Sequence, residues 1–162
     1  MAEIYLYWID PKTRIYHFHT IHGIEFKIII VNDRSWFPYN PEFTDVFTFE
    51  VSAVPKSRFR DPKIQATITD IVSKRIIVNP EMIITYHCDD ADGKARSRNR
   101  KFDAWHQLVS QEEIHKYNRE VIYQDELFYS SLLIHRDNTR YKRAIEIYYS
   151  GDKDVTDKFD LD

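Results

Sequence analysis

Apolar and polar residues alternate at period two through most of the first third of the chain: Ile4 to Ile9, Ile15 to Thr20, Ile24 to Val31 and Val46 to Val54. That spacing places successive side chains on opposite sides of a strand, so four antiparallel strands are predicted in order. Asp10-Pro11-Lys12 and Ile21-His22-Gly23 supply turn chemistry, and a longer connection from Asn32 to Pro41 carries Trp36, Phe37, Pro38 and Tyr39. Its aromatic content predicts a connection that packs. At Asp61-Pro62 the period changes. Aspartate is a good N-cap and proline suits the first helical turn, after which Ile64, Ile68, Ile71, Val72 and Ile76 recur at helical spacing, predicting a helix from about 62 to 77. Asn79-Pro80 ends it, and Met82 to Cys88 follows as an apolar run suited to an interior strand.

Asp89 to Gly93 predicts a turn, and a helix starting near Ser97 or Asn99 would bury Phe102, Trp105, Leu108 and Val109. Ser110 with Glu113 fits a capping box, predicting a further short helix with Ile114 and Tyr117. Leu127 to His135 and Ala144 to Ser150 are expected as a closing hairpin around Asp137-Asn138-Thr139. The fold class predicted is α+β, or mixed α/β: an antiparallel meander, then strand, helix, strand and helix, then the hairpin, all in one mixed sheet with two or three helices. Residues 1–150 are expected as one domain. The tail 151–162 holds five Asp and little apolar content, which predicts a flexible acidic extension.

Composition narrows the function classes. The chain has 162 residues, enough for one continuous core, with 43% hydrophobic and 15% aromatic residues and only 3 Gly. A formal charge of -3 opposes the broad basic field of non-specific nucleic-acid binding, so a nucleic-acid partner is not expected. One cysteine, Cys88, makes no intramolecular disulfide, and the acidic Glu3 precedes only a short apolar stretch, unlike a secretion signal. With no apolar run near the roughly 20 residues of a membrane span, a cytoplasmic protein without membrane contact is expected.

Candidate chemistry is sparse. Lys94-Ala-Arg-Ser-Arg-Asn-Arg-Lys101 sets five cations in eight residues where a helix is predicted to begin, although the positive end of a helix dipole favours anions. Lys94, Arg96, Arg98 and Arg100 therefore either hold an anionic ligand or protein partner, or pair in solvent with Asp89, Asp90 and Asp92. Glu50, in an otherwise apolar strand, is either a half-buried general base or a residue of a wet sheet face. His17 and His19 share one side of a strand without an identifiable third metal ligand. His87 and Cys88 point to opposite faces, so they form no dyad. The acidic run at 89–93 lacks the spacing and closing Glu of a calcium loop. No metal and no cofactor are expected.

Two resemblances follow from these residues. Tyr86-His-Cys-Asp-Asp-Ala-Asp-Gly-Lys, Arg96, Arg98 and Arg100, Phe102-Asp-Ala-Trp105 and Leu127 to Ile134 together resemble an uncharacterised family of small bacterial proteins typical of the Bacteroidetes, over Tyr16 to about Ser150. That resemblance implies a stand-alone cytosolic domain of unknown function. The element order from Ile15 onward is also similar to the later portion of GNAT acetyltransferases. In that family a glycine-rich loop at the first of these helices holds the pyrophosphate of acyl-CoA, whereas Pro55 to Pro62 here contains no glycine, and Pro62 removes a donor amide. No tyrosine stands at the acid position that resemblance implies within Arg98 to Phe102. Three readings stand: a non-enzymatic module for an anionic ligand or protein partner, a divergent GNAT-like acyltransferase, and an immunity-type interaction protein using an aromatic sheet face.

Overall fold

A computed structural model describes residues 3–55, 61–89 and 112–150, apart from the side chains of His87, Cys88, Asp89 and Tyr123. The described strands are β1 (Tyr7–Ile9), β2 (Tyr16–His19), β3 (Glu25–Asn32), β4 (Val46–Val54), β5 (Ile83–Asp89), β6 (Ile114–Tyr123) and β7 (Glu126–His135), with helices α1 (Pro62–Val78) and α2 (Tyr141–Ser150). They form one mixed, seven-stranded sheet in the order β1-β2-β3-β4-β5-β7-β6, an α+β architecture. Strands β1 to β4 form the expected antiparallel meander. Between the parallel neighbours β4 and β5, α1 is the crossover.

The start of α1 is capped as its sequence dictates. The Asp61 carboxylate accepts from the Lys63 amide at 2.9 Å, and the Tyr5 phenol donates to the other carboxylate oxygen. The Tyr5 amide donates to Thr67 Oγ1 at 2.8 Å, fastening the residues before β1 to the first turn of α1. On this side of the sheet Phe18, Ile28, Ile84 and Ile114 pack against Ile68, Ile71 and Ile76.

The other side is covered over β5, β7 and β6 by α2 and by the 33–45 connection. Trp36, Phe37 and Phe43 join Leu132, Ile134, Ala144 and Tyr148 in a second core, fulfilling the expectation that this aromatic connection packs. Arg34 holds it: Nε donates to the Phe43 carbonyl at 2.6 Å and Nη2 to the Asn40 carbonyl at 3.0 Å. Arg34→Met keeps the aliphatic length and removes both bonds, so it should cost about 2 kcal/mol. The check is a lower urea midpoint with an unchanged m value.

The C-terminal third departs from the sequence reading. The expected short helix with Ile114 and Tyr117 is strand β6, and the hairpin lies between β6 and β7 rather than between 127–135 and 144–150. Residues 115, 117, 119 and 121 occupy one face at period two, and pairing along all ten positions of β7 outweighs the capping-box signal. A two-residue turn, Gln124-Asp125 with φ of 48° and 63°, joins the strands. Two positive φ values identify a primed hairpin turn, here without the glycine or asparagine that normally advertises one. The expected strand Ala144 to Ser150 belongs to α2 and buries Ala144, Ile147 and Tyr148 at helical spacing. Asn138 closes the turn before that helix: its Oδ1 accepts from the Arg140 amide at 2.8 Å and its Nδ2 donates to the Pro80 carbonyl at 3.0 Å. The expected turn after Asp89, the helix with Phe102 and Trp105, Ser110 and the acidic tail lie outside the described residues.

Candidate functional site

Parallel strands β4 and β5 pair at only two positions, Val46 with Ile83 and Phe47 with Ile84. Beyond them β4 continues against β3 as far as Val54, and β5 continues against β7 as far as Asp89. The sheet thus opens between its two parallel strands toward their carboxyl ends. On the α1 side, the rings of Phe49 and Tyr86 lie across the opening with centroids 5.4 Å apart, and Lys116 Nζ stands 5.9 Å from the Tyr86 centroid. On the opposite side Thr85, one residue past the last pair, is buried, and its hydroxyl has no hydrogen-bond partner among the described residues. Carboxyl ends of parallel strands are where open α/β sheets bind ligands.

Sequence-predicted residues fall unequally around this opening. Glu50 lies on β4, three positions past its last pair with β5, opposite Ile29, and is exposed rather than half-buried. Lys94, Arg96, Arg98 and Arg100 lie outside the described residues. Their segment begins directly after Asp89 at the end of β5, while the 55–61 connection leaves β4 at the same end of the sheet. The latter contains Lys56, Arg58 and Arg60, also outside the described residues. Those three cations are legible in the sequence, but only the adjacency of β4 and β5 relates them to the arginines near residue 100. The start of α1 is not available to an anion, because Asp61 already caps it and Pro62 has no amide hydrogen.

His17 and His19 share the sheet face away from α1, as expected from their spacing, with Trp8 against both at centroid distances of 5.5 and 5.4 Å. His17 Nδ1 is 3.2 Å from Glu25 Oε1. The two histidines therefore flank an aromatic ring instead of converging on a common point. Cross-strand registers place Lys27, Ile29 and Glu50 on the same face. Exposed Leu6 and Trp8 make its outer edge apolar. Among the described residues no three His, Cys, Asp or Glu side chains gather as metal ligands.

A second polar cluster lies between β6 and α2. The Tyr141 hydroxyl is 2.5 Å from both His115 Nδ1 and the Tyr117 hydroxyl. Burial, then the hydrogen bond with Tyr117, pushes the Tyr141 phenol far above its ordinary range. Tyr148 is likewise pushed up, chiefly by burial, and as a neutral phenol donates to Ser130 Oγ at 2.8 Å. These bonds fasten α2 to the sheet, and the sequence reading missed them because it took α2 for a strand.

Residues 60–150, more than half of the chain, match the model of a family described as a family of unknown function, DUF6169. The chain belongs to that family. The part matched to DUF6169 includes α1, β5, the arginine-rich segment, β6, β7 and α2. One wall of the opening, β5, therefore lies inside the matched region, while β4 with Glu50 lies outside it. No curated protein matches the chain. Among the described residues no helix is long and apolar enough to cross a membrane.

Proposed function

We propose that this DUF6169 protein is a non-enzymatic cytoplasmic module that binds an anionic ligand at the carboxyl ends of β4 and β5, with Lys94, Arg96, Arg98 and Arg100 as its cationic contacts. The observation that carries the reading is the two-position pairing of β4 with β5, followed by their separation. The connections leaving those strand ends contain Lys56, Arg58, Arg60, Lys94, Arg96, Arg98, Arg100 and Lys101, against Asp90 and Asp92 between the last described residue of β5 and Lys101. Guanidinium groups suit phosphate and carboxylate oxygens through paired N–H donors. Aromatic Phe49 and Tyr86 supply an apolar wall to the opening itself.

Inorganic pyrophosphate and coenzyme A are suitable calorimetric probes. Saturable, salt-sensitive binding of at least one is expected. In the Arg96→Ala, Arg98→Ala, Arg100→Ala triple variant it should weaken at least about tenfold, equivalent to 1.4 kcal/mol, at an unchanged melting temperature. Absence of saturable binding by both probes at millimolar concentration, or equal affinity in the variant, would exclude this reading.

A divergent GNAT-like acyltransferase is the second reading, favoured by the order of the antiparallel strands, α1 and the parallel β5. Glu50 would be its base, yet it is exposed, and the 55–62 segment lacks glycine. Acetyl coenzyme A that fails to bind at millimolar concentration removes the acyltransferase.

A further inference from the structure

Where α2 meets β6 and the 33–45 connection, one tryptophan and successive tyrosines form an unbroken series of rings. Trp36 meets Tyr148 with centroids 5.1 Å apart, and Tyr148 meets Tyr149 at 5.3 Å. Tyr149 then meets Tyr117 at 6.4 Å, and Tyr117 meets Tyr141 at 6.1 Å. Every member is an indole or a phenol, rings that give up one electron more readily than the phenyl groups of Phe37 and Phe43 in the same core. The series starts at Trp36, 1% exposed, and ends at Tyr141, which is half-buried. Electron transfer weakens steeply with distance, so adjoining rings of this kind can pass an oxidising equivalent along.

Its two ends differ in what surrounds them. A phenol becomes a far stronger acid when it loses an electron, so the radical settles where the proton has a base to go to. The Tyr148 phenol donates to Ser130 Oγ and the Tyr149 phenol to the Asn118 carbonyl, neither of which is basic. Tyr141 instead lies 2.5 Å from Nδ1 of an imidazole, His115. With that imidazole neutral, Tyr141 donates to Nδ1, and the Tyr117 phenol, also at 2.5 Å, donates to the Tyr141 oxygen. Tyr5 and Tyr7, outside the series, bond to the carboxylates of Asp61 and Asp70, which are weaker bases than an imidazole. Burial keeps the Tyr141 phenol protonated at rest, so its electron and proton must leave together. At the other end, the Arg119 guanidinium lies 5.7 Å from the Trp36 centroid and opposes positive charge on the indole. Both surroundings favour Tyr141 as the place where the oxidising equivalent rests.

We propose that Tyr141 is a redox-active tyrosine that, with His115 as its proton acceptor, draws oxidising equivalents out of buried Trp36 and releases them to a soluble reductant. The oxidant is a small radical that accepts one electron. As that electron leaves, the Tyr141 O–H bond breaks and an N–H bond forms at His115 Nδ1, giving a neutral phenoxyl radical and an imidazolium. Ascorbate or a thiolate then returns one electron, the proton moves back to the oxygen, and the chain is restored. This radical-scavenging activity is independent of the opening between β4 and β5.

The full chain can be oxidised by a ruthenium(III) polypyridyl complex generated in a light flash, with the radical followed by absorbance and, after freezing, by electron paramagnetic resonance. Wild type should give a phenoxyl radical that forms more slowly in heavy water and is discharged by ascorbate. Tyr141→Phe should lose most of that signal. So should His115→Asn, which keeps a hydrogen-bond acceptor near Nδ1 but removes the base. Tyr39→Phe, at a position 78% exposed and outside the series, should lose little. Mass-spectrometric peptide mapping after repeated flashes with ascorbate present should find more oxidised Trp36 in Tyr141→Phe than in wild type. Melting temperatures report whether each variant folds, and the heavy-water comparison uses the wild-type chain alone. The assignment is overturned by a radical that Tyr141→Phe leaves intact, a loss in Tyr39→Phe as large as in Tyr141→Phe, an equal rate in heavy water, or unchanged Trp36 oxidation.

Discussion

Trp36→Ala should lower the stability of the fold by about 3–5 kcal/mol, much of the margin a domain of this size holds. The indole is 1% exposed although it belongs to a connection rather than a strand or helix. Its ring meets that of Tyr148 edge-on at 5.1 Å, and the Arg119 guanidinium lies 5.7 Å from its centroid. Arg119 in turn donates to the Tyr148 carbonyl at 2.7 Å near the end of α2, where a cation also suits the helix dipole. Truncation would leave a cavity bounded by Tyr148 and remove an aromatic partner from Arg119, so the seating of α2 would weaken together with the connection. Trp36→Phe retains an aromatic body and should lose much less. Urea unfolding followed by far-ultraviolet circular dichroism measures both variants. A loss below about 1 kcal/mol for Trp36→Ala would mean that the connection melts apart from the sheet.

The meander and α1 were legible in the sequence because each carried two agreeing local signals, a period and its punctuation. Asp61-Pro62 both stopped the strand pattern and opened the helical one. Near residue 114 the local signal pointed to the wrong element: Ser110 and Glu113 suggested a helix start, and Ile114 to Ile122 carries no period-two alternation to oppose it. The deciding contribution is cross-strand pairing with β7, a tertiary property with no local trace. Asn138 was ambiguous for a chemical reason, since an asparagine side chain that accepts from the amide two residues on suits a hairpin turn and a turn leading into a helix equally. For the candidate site, the strand carrying Glu50 was readable and its exposure was not, because alternation identifies two faces without saying which is covered. The separation of β4 from β5 had no sequence signal either.

Phe18→Ala tests the other layer of the molecule and should also cost about 3–5 kcal/mol. Phe18 is completely buried on the α1 side, stacked between Tyr5 at 5.8 Å and Phe26 at 5.1 Å. Tyr5 reaches the start of α1 through its amide on Thr67 and its phenol on Asp61, so losing the Phe18 ring should loosen that attachment as well as the core. Amide exchange at Tyr5 should therefore accelerate more than exchange in β7. Phe18 and Trp36 belong to separate cores on opposite sides of one sheet. Milder substitutions, Phe18→Leu and Trp36→Phe, keep the double variant folded and should add within about 0.5 kcal/mol. A larger departure would mean that strain in one layer passes through the sheet to the other, in which case the opening between β4 and β5 would respond to packing on both sides.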